Sequence, residues 1–293
     1  MLPEEAISAV QRMFDARTVA IDPASILGNL LGEAQKFVDA TKDLRAGRTD
    51  AETDEAAVQA GGSLLAVVRL GMALQAHEAH RTPKLTETLI NLSSFRVGRD
   101  QHDDQFSEAE YELHAASQFV GCGHRVAFVD TKSPSRFDQR VEFMLGYKWP
   151  VECKRPRVRG RILENIKKAT DKLNERAQPG IASVALESAL PHSLPFRETF
   201  NVEEVRHAIS EEFGRWWEAE SKEVLKAIAG SFSRYLILNY TALTYTHDTG
   251  EIGLPSLRLG LTQTGEWIQT DVCSECVRRL AHEREIVTGQ WVP

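Results

Sequence analysis

Apolar positions recur along the chain with two spacings, one typical of amphipathic helices and one typical of strands. The first hundred residues carry the helical spacing alone. It predicts helices near residues 4–16, 24–44, 51–78 and 83–95, the third of them interrupted at Gly61-Gly62. Beyond this region the two spacings alternate, which is typical of a protein that packs helices against a β-sheet.

The alternating part begins with a predicted helix over residues 107–120, where Leu113, Ala116 and Phe119 fall at helical spacing. Ser107 is the predicted N-cap of this helix, and the glycines at 121 and 123 are its predicted end. A strand is expected at 124–129. Further elements are predicted downstream: a helix from Ile162 to Leu173, strands at 181–186, 234–240 and 257–262, and helices at 201–229 and 271–287.

Between these elements the pattern predicts a β-hairpin with glycine at its turn. A three-residue loop from Gly146 to Lys148 would pair Leu145 with Trp149. Counting back along both strands from that pair places Glu142 opposite Glu152, and directly opposed residues share one face of a sheet.

The second strand of this hairpin carries Glu152 and Lys154, two residues apart and therefore on one face. The carboxylate can hold a divalent metal ion, and the lysine can steady a water molecule or a developing anion. Val151 and Cys153 are predicted to face the opposite way, into a core.

Additional acids are expected near this pair. Opposed carboxylates of Glu142 and Glu152 would repel unless a cation lay between them, and Mg²⁺ is the natural occupant. Glu108 and Glu112 lie four residues apart on one face of the preceding helix, and either could reach the hairpin. Because acids without metal repel, Glu142→Gln and Glu152→Gln are predicted to leave the metal-free protein at least as stable.

The order of these features resembles the PD-(D/E)XK phosphodiesterase superfamily over roughly residues 106–190. The features are a helix with Glu, Gly-His, a strand, an acid-bearing strand, a tight turn and Val-Glu-Cys-Lys-Arg. The resemblance implies an α/β protein with a restriction-endonuclease-like mixed β-sheet core flanked by helices. It suggests an N-terminal helical region (1–100), a nuclease-like domain (101–270) and a C-terminal helix and tail (271–293).

The same resemblance implies the site residues. The family's D/E-x-K element matches Glu152-Cys153-Lys154, its helical Glu matches Glu112, and its preceding acid matches Glu142, with Asp138 as the rival. The sequence has Glu where the family usually has Asp, and Val141 where Pro is common. The implied catalytic residues are Glu142, Glu152, Lys154 and Glu112. The implied ligands of Mg²⁺ or Mn²⁺ are Glu142, Glu152, Glu112 and Asp138.

A basic segment follows the Glu-x-Lys element, with seven Lys or Arg against one acid between Lys154 and Lys168. Such a flank favours binding of a phosphate backbone, which supplies most of the nonspecific affinity for nucleic acid. The residues predicted to bind nucleic acid are Arg155, Arg157, Arg159, Arg161 and Lys168.

The whole-chain numbers change this picture little. The net charge of −7 over 293 residues is no signature of nucleic-acid binding, so the prediction depends on where the charges lie.

We expect no transmembrane helix, because no run of about 18 apolar residues occurs, and no signal peptide, because the start lacks a basic region. Four cysteines without an export signal indicate free thiols in a cytoplasmic protein.

Together the features predict a cytoplasmic nuclease, dependent on Mg²⁺ or Mn²⁺, that hydrolyses phosphodiester bonds of DNA. No membrane partner is expected, and a homodimer is left open. The alternative is a catalytically inactive nuclease-fold module that binds nucleic acid or protein partners.

Overall fold

The structure is a computed structural model. It describes residues 2–45, 51–98, 100–128, 139–142, 148–175, 177–190, 202–242, 244–245, 252–269 and 271–288. Within these residues, none of the helices combines the length and the apolar character needed to cross a membrane.

The described residues form eight α-helices, nine strands and one short 3-10 helix. The N-terminal helices are α1 (Pro3–Asp15), α2 (Ile26–Arg45), α3 (Ala51–Ala79) and α4 (Leu85–Ser94). The central elements are α5 (Asp100–Gly121), β1 (Arg125–Phe128), β2 (Gln139–Glu142), β3 (Lys148–Lys154), the 3-10 helix Arg159–Arg161, α6 (Ile162–Glu175) and β4 (Gly180–Ala185). The remainder comprises α7 (Val202–Ile228), β5 (Ser233–Thr241), β6 (Thr244–Tyr245), β7 (Ile252–Gly253), β8 (Ser256–Thr262), β9 (Trp267–Ile268) and α8 (Val272–Thr288).

Seven strands form one mixed sheet in the order β1-β2-β3-β4-β5-β8-β9. The first three strands are antiparallel neighbours, whereas β3, β4 and β5 run parallel to one another. The helix α6 makes the crossover between the parallel strands β3 and β4. The central part of the chain therefore has the order helix, three antiparallel strands, helix, parallel strand, and the protein is a mixed α/β protein as predicted.

Each face of the sheet is covered by helices, and each has its own apolar cluster. One cluster joins residues of α1 to α5 and α8 to Val151, Cys153 and Ile181. The other joins α6 and α7 to Ala182 and Val184. Because side chains alternate along a strand, residues of β3 with odd numbers face α5 and those with even numbers face α6.

Two local predictions about helices were wrong. The helix α3 continues through Gly61-Gly62, and α5 begins at Asp100 instead of near Ser107. Glycine within a helix costs only about 1 kcal/mol relative to alanine. Burial of the following turns, with Leu64, Val67 and Val68 in the core, outweighs that cost.

A cluster of four charged side chains lies between α3, α5 and the carboxyl ends of β3 and β4. The guanidinium of Arg69 donates to both carboxylate oxygens of Glu110, at 2.8 Å for Nε–Oε1, and it also contacts Glu187. Arg155 donates to Oε2 of Glu110 at 2.6 Å. We refer to Arg69, Glu110, Arg155 and Glu187 as the buried charge cluster.

The charges of this cluster compensate one another. Burial opposes ionisation of Glu110, but the neighbouring Arg69 and Arg155 outweigh it and lower the pKa of Glu110. Burial likewise disfavours the charged form of Arg69. The carboxylates of Glu110 and Glu187 outweigh this effect of burial and raise the pKa of Arg69. Two cations and two anions therefore balance in a place where a single unpaired charge would be costly.

Replacing Arg69 by Met is expected to destabilise the protein by about 3–5 kcal/mol, because it leaves two buried carboxylates with too few partners. Arg96 is the matched control, since it pairs with Asp22 at the surface, with side chains 42% and 45% exposed. Arg96→Met should cost less than about 1 kcal/mol. Urea unfolding of both variants measures the difference, and equal effects would contradict a special role for the cluster.

Candidate functional site

The Glu-x-Lys element lies at the carboxyl end of β3, as its residue pattern predicts. Val151 and Cys153 are buried in the core cluster on the α5 side. Glu152 and Lys154 occupy the other face, beside α6, where the ammonium nitrogen of Lys154 lies 3.0 Å from Oε1 of Glu152. The prediction that these two side chains share a face is confirmed.

A second lysine also contacts Glu152. Lys172, on the third turn of α6, places its ammonium against the same Oε1 atom that Lys154 contacts. The carboxylate of Glu152 is fully buried, so both cations compensate a charge that water does not reach. Sequence reasoning missed Lys172, although its position one turn after Lys168 on an amphipathic helix was a usable signal.

The predicted hairpin register is wrong. Glu142 pairs with Lys148, and Val141 pairs with Trp149, so Glu142 does not lie opposite Glu152. Lys148 and Glu152 are four positions apart on β3, which corresponds to about 13 Å along a strand. At that backbone separation, Glu142 and Glu152 do not form the cross-strand pair on which their shared metal site was predicted.

The sequence could not distinguish the two registers, because side chains alternate between the two faces of a strand. A register shift by an even number of residues keeps every side chain on its original face. The apolar pattern therefore fits the predicted register and the observed one equally well. The rival acid, Asp138, lies outside the described residues.

The helical acid that approaches the pair is Glu108. Its Oε1 atom lies 4.0 Å from the ammonium of Lys154, whereas Glu112 is one turn further along α5. The expected packing of Leu113 and Ala116 beneath this helix is confirmed, since both are fully buried. The contact of Glu108 with Lys154 makes Glu108 a candidate for the helical acid, and the assignment to Glu112 stays a prediction.

These side chains do not by themselves make a magnesium site. Within the described part of the chain, no three His, Cys, Asp or Glu side chains are placed to hold a metal ion. Magnesium favours one or two carboxylates together with water and substrate oxygens. Glu152 supplies one carboxylate, and its Oε1 atom is already contacted by two ammonium groups.

A basic cleft of about 320 Å³ opens beside the pair. Its lining includes the predicted cations Arg157, Arg161 and Lys168, together with Arg155, Asn165 and Glu108. Because Glu108 also lies near Lys154, the cleft adjoins the Glu-x-Lys element. We refer to this feature as the basic cleft.

Two of the five predicted nucleic-acid-binding residues have a different setting. Arg155 is a member of the buried charge cluster, with its side chain only 12% exposed, because it faces α5 instead of α6. Arg159 is outside the lining and pairs with Glu212 at 3.0 Å. The exposed cations that remain in the cleft are Arg157, Arg161 and Lys168. Lys168 pairs with Glu164 at 2.7 Å, and Arg161 lies 3.9 Å from the same carboxylate.

Comparisons of the chain with protein-family models, curated proteins and solved structures gave no match. The resemblance to the PD-(D/E)XK superfamily is consequently a hypothesis drawn from the residues.

The ion pairs of Glu152 reverse the expected effect of removing its charge. Glu152→Gln leaves Lys154 and Lys172 facing a buried neutral amide, so we expect a loss of about 3–5 kcal/mol in the metal-free protein. Glu108→Gln, which removes a half-exposed carboxylate, should cost less than about 1 kcal/mol. Denaturant unfolding in EDTA compares the stability of the two variants. If Glu152→Gln is as stable as the wild type, the ion pairs of Glu152 do not stabilise the fold, and repulsion between acids is the better explanation.

Proposed function

We propose that the protein is a nuclease of the PD-(D/E)XK type, which hydrolyses phosphodiester bonds of DNA with the help of a divalent metal ion. The contact of Glu152 with Lys154 at the end of a strand that adjoins a basic cleft is the observation that carries the proposal. The order of helix, three antiparallel strands, helix and parallel strand supports the restriction-endonuclease-like fold.

Lys154 has the setting of a group that acts on water or on a phosphate oxygen. Its ammonium is held between the carboxylates of Glu152 and Glu108, at 3.0 Å and 4.0 Å. Holding the ammonium in place reduces the entropy lost when it meets a reactant. Lys154 would orient the attacking water, whose oxygen bonds to phosphorus as the bond to the leaving oxygen breaks.

The basic cleft would bind the phosphate backbone beside this lysine. Three exposed cations can contact phosphates there without reading base sequence. A divalent ion, when bound near Glu152, would neutralise charge at the scissile phosphate. Asp138 replaces Glu142 as the preferred second acid, because Glu142 pairs four residues away from Glu152.

A noncatalytic module that binds nucleic acid or protein partners is the second candidate. The burial of Glu152 and its two ammonium partners favours it, because a carboxylate already neutralised is a poor metal ligand. In that case the basic cleft would bind polyanions without hydrolysis.

The two candidates differ in cleavage. Incubation with plasmid and single-stranded DNA in Mg²⁺ or Mn²⁺ should give cutting that Lys154→Ala lowers at least about a hundredfold, the usual scale for a lost electrostatic or proton-transfer contribution. Lys167→Ala, which changes an exposed lysine of α6, is the control and should cut normally.

Asp138→Asn should be inactive and Glu142→Gln active; tight binding without any cutting would favour the noncatalytic module.

Binding of DNA tests the cleft separately. Changing Arg157 and Arg161 together to Gln should weaken binding to all sequences and flatten the plot of log K against log salt by about one unit per lost contact. Arg206 and Arg278 are exposed residues of α7 and α8 that do not line the cleft, and their double Gln variant is the control. Unchanged affinity and slope in the cleft variant would mean that these cations are merely solvated.

A further inference from the structure

Three of the four cysteines lie together where the end of α5 contacts the start of α8. Cys122 directly follows α5, whereas Cys273 and Cys276 lie in the first two turns of α8. All the cysteines are free thiols, and Cys122 is exposed while Cys273 and Cys276 are buried. The contact of the two helices therefore brings an exposed thiol to buried thiols that lie far away in the sequence.

The backbone holds Cys122 in the turn that ends α5. The amide of Cys122 donates to the carbonyl of Phe119 at 3.1 Å, and the amide of Gly123 donates to the carbonyl of Val120 at 2.9 Å. Gly123 has a φ of 84°, the left-handed conformation in which helices commonly end at glycine. Cys122 consequently presents its thiol to α8 from a fixed position of the backbone.

The sulfur of Cys122 lies against the first turn of α8. The thiol of Cys273 donates a hydrogen bond to it, and so do the hydroxyl and the backbone amide of Ser274. Ser274 is the third residue of α8, so its amide is one of those that have no acceptor within the helix. Arg258, on β8, adds a positive charge nearby. The sulfur of Cys122 thus has hydrogen-bond donors, a cation and a second thiol as neighbours.

These neighbours divide the two thiols into a nucleophile and a partner. The hydrogen bond from Cys273, with help from Ser274 and Arg258, lowers the pKa of Cys122 to about 5. The same hydrogen bond, together with burial, raises the pKa of Cys273. At neutral pH the pair therefore holds a thiolate on the exposed residue and a thiol on the buried one. The thiolate is the form of cysteine that reacts with oxidants.

We propose that Cys122 is a site of reversible oxidation by hydroperoxides, and that Cys273 resolves the oxidised form into a disulfide that joins the end of α5 to the start of α8. The thiolate of Cys122 attacks the terminal oxygen of the hydroperoxide, so that an S–O bond forms and the O–O bond breaks. The leaving alkoxide, or hydroxide in the case of hydrogen peroxide, takes a proton from water. Cys122 is then a sulfenic acid.

The second step closes the disulfide. The sulfur of Cys273 attacks the sulfur of the sulfenic acid, an S–S bond forms and the S–O bond breaks. The hydroxyl group leaves as water with the proton of the Cys273 thiol. The two thiols have together lost two electrons, which reduced the hydroperoxide to an alcohol and water, and a dithiol reductant reverses the change by thiol–disulfide exchange.

This oxidation site is independent of the proposed nuclease function. Glu108, the residue of α5 that approaches Lys154, precedes Cys122 by fourteen residues, or about 21 Å along a helix. Cys122 and Cys273 are 151 positions apart in the sequence, so their disulfide would enclose the greater part of the sheet in one loop. Oxidation would thereby attach α8 covalently to the rest of the fold.

The disulfide is tested on the reduced wild-type protein with a small excess of hydrogen peroxide, alkylation and peptide mapping by mass spectrometry without reductant. We expect peptides linked through Cys122 and Cys273 that dithiothreitol separates. Cys276→Ala, the matched control at a buried thiol of the same helix, should give the same link. In Cys273→Ala, Cys122 should stop at the sulfenic acid, which dimedone captures. Unreacted Cys122, a link between Cys273 and Cys276, or a dimer linked through two copies of Cys122 would overturn the proposal.

The role of Cys122 as the nucleophile is tested by the pH dependence of its alkylation by iodoacetamide. The rate should change by less than about twofold between about pH 6.5 and 8, whereas that of an ordinary thiol rises roughly tenfold per pH unit. Cys273→Ala should restore a steep rise, because it removes the strongest hydrogen bond to the thiolate, and Cys276→Ala should keep the flat profile. A steep rise in the wild type would overturn the assignment of Cys122 as the attacking thiolate.

Discussion

The arrangement of the candidate site depends on the buried charge cluster of Arg69, Glu110, Arg155 and Glu187. Arg155 directly follows Lys154, so the ion pairs that hold its guanidinium also fix the end of β3 against α5. Arg69 comes from α3 and brings the N-terminal helices into the same contact. Displacing any one member of this cluster would leave a buried charge uncompensated, which is costly.

The end of β3 thus presents two cations to two different environments. Lys154 faces α6 and meets Glu152 and Glu108, whereas Arg155 faces α5 and meets Glu110 and Glu187. Strand alternation alone accounts for this division. One set of charges is balanced and secures the fold, the other contains the Glu152–Lys154 pair, and both adjoin the basic cleft, which Arg155 and Glu108 line.

Local patterns in the sequence were sufficient for the order of the main helices and strands and for the shared face of Glu152 and Lys154, but they missed the short strand β9. They were insufficient wherever the answer depended on two segments distant in sequence. The pairing of Glu142 with Lys148 could not be distinguished from its pairing with Glu152, because both keep the same faces. Arg155 was predicted to bind nucleic acid like the other cations of its segment, because its buried partner Glu110 lies 45 residues away in the sequence.

The helix α6 combines two tasks on neighbouring stripes. Ile162, Ile166, Ala169 and Leu173 are fully buried in the core, while Lys172, beside Leu173, contacts Glu152. Successive residues of a helix are rotated by about 100° about its axis. Inserting or deleting one residue early in α6 would therefore rotate the later apolar residues away from the core and Lys172 away from Glu152. Evolution could alter the residues of this helix one at a time, but it could change the length only by whole turns without losing the core and the site at once.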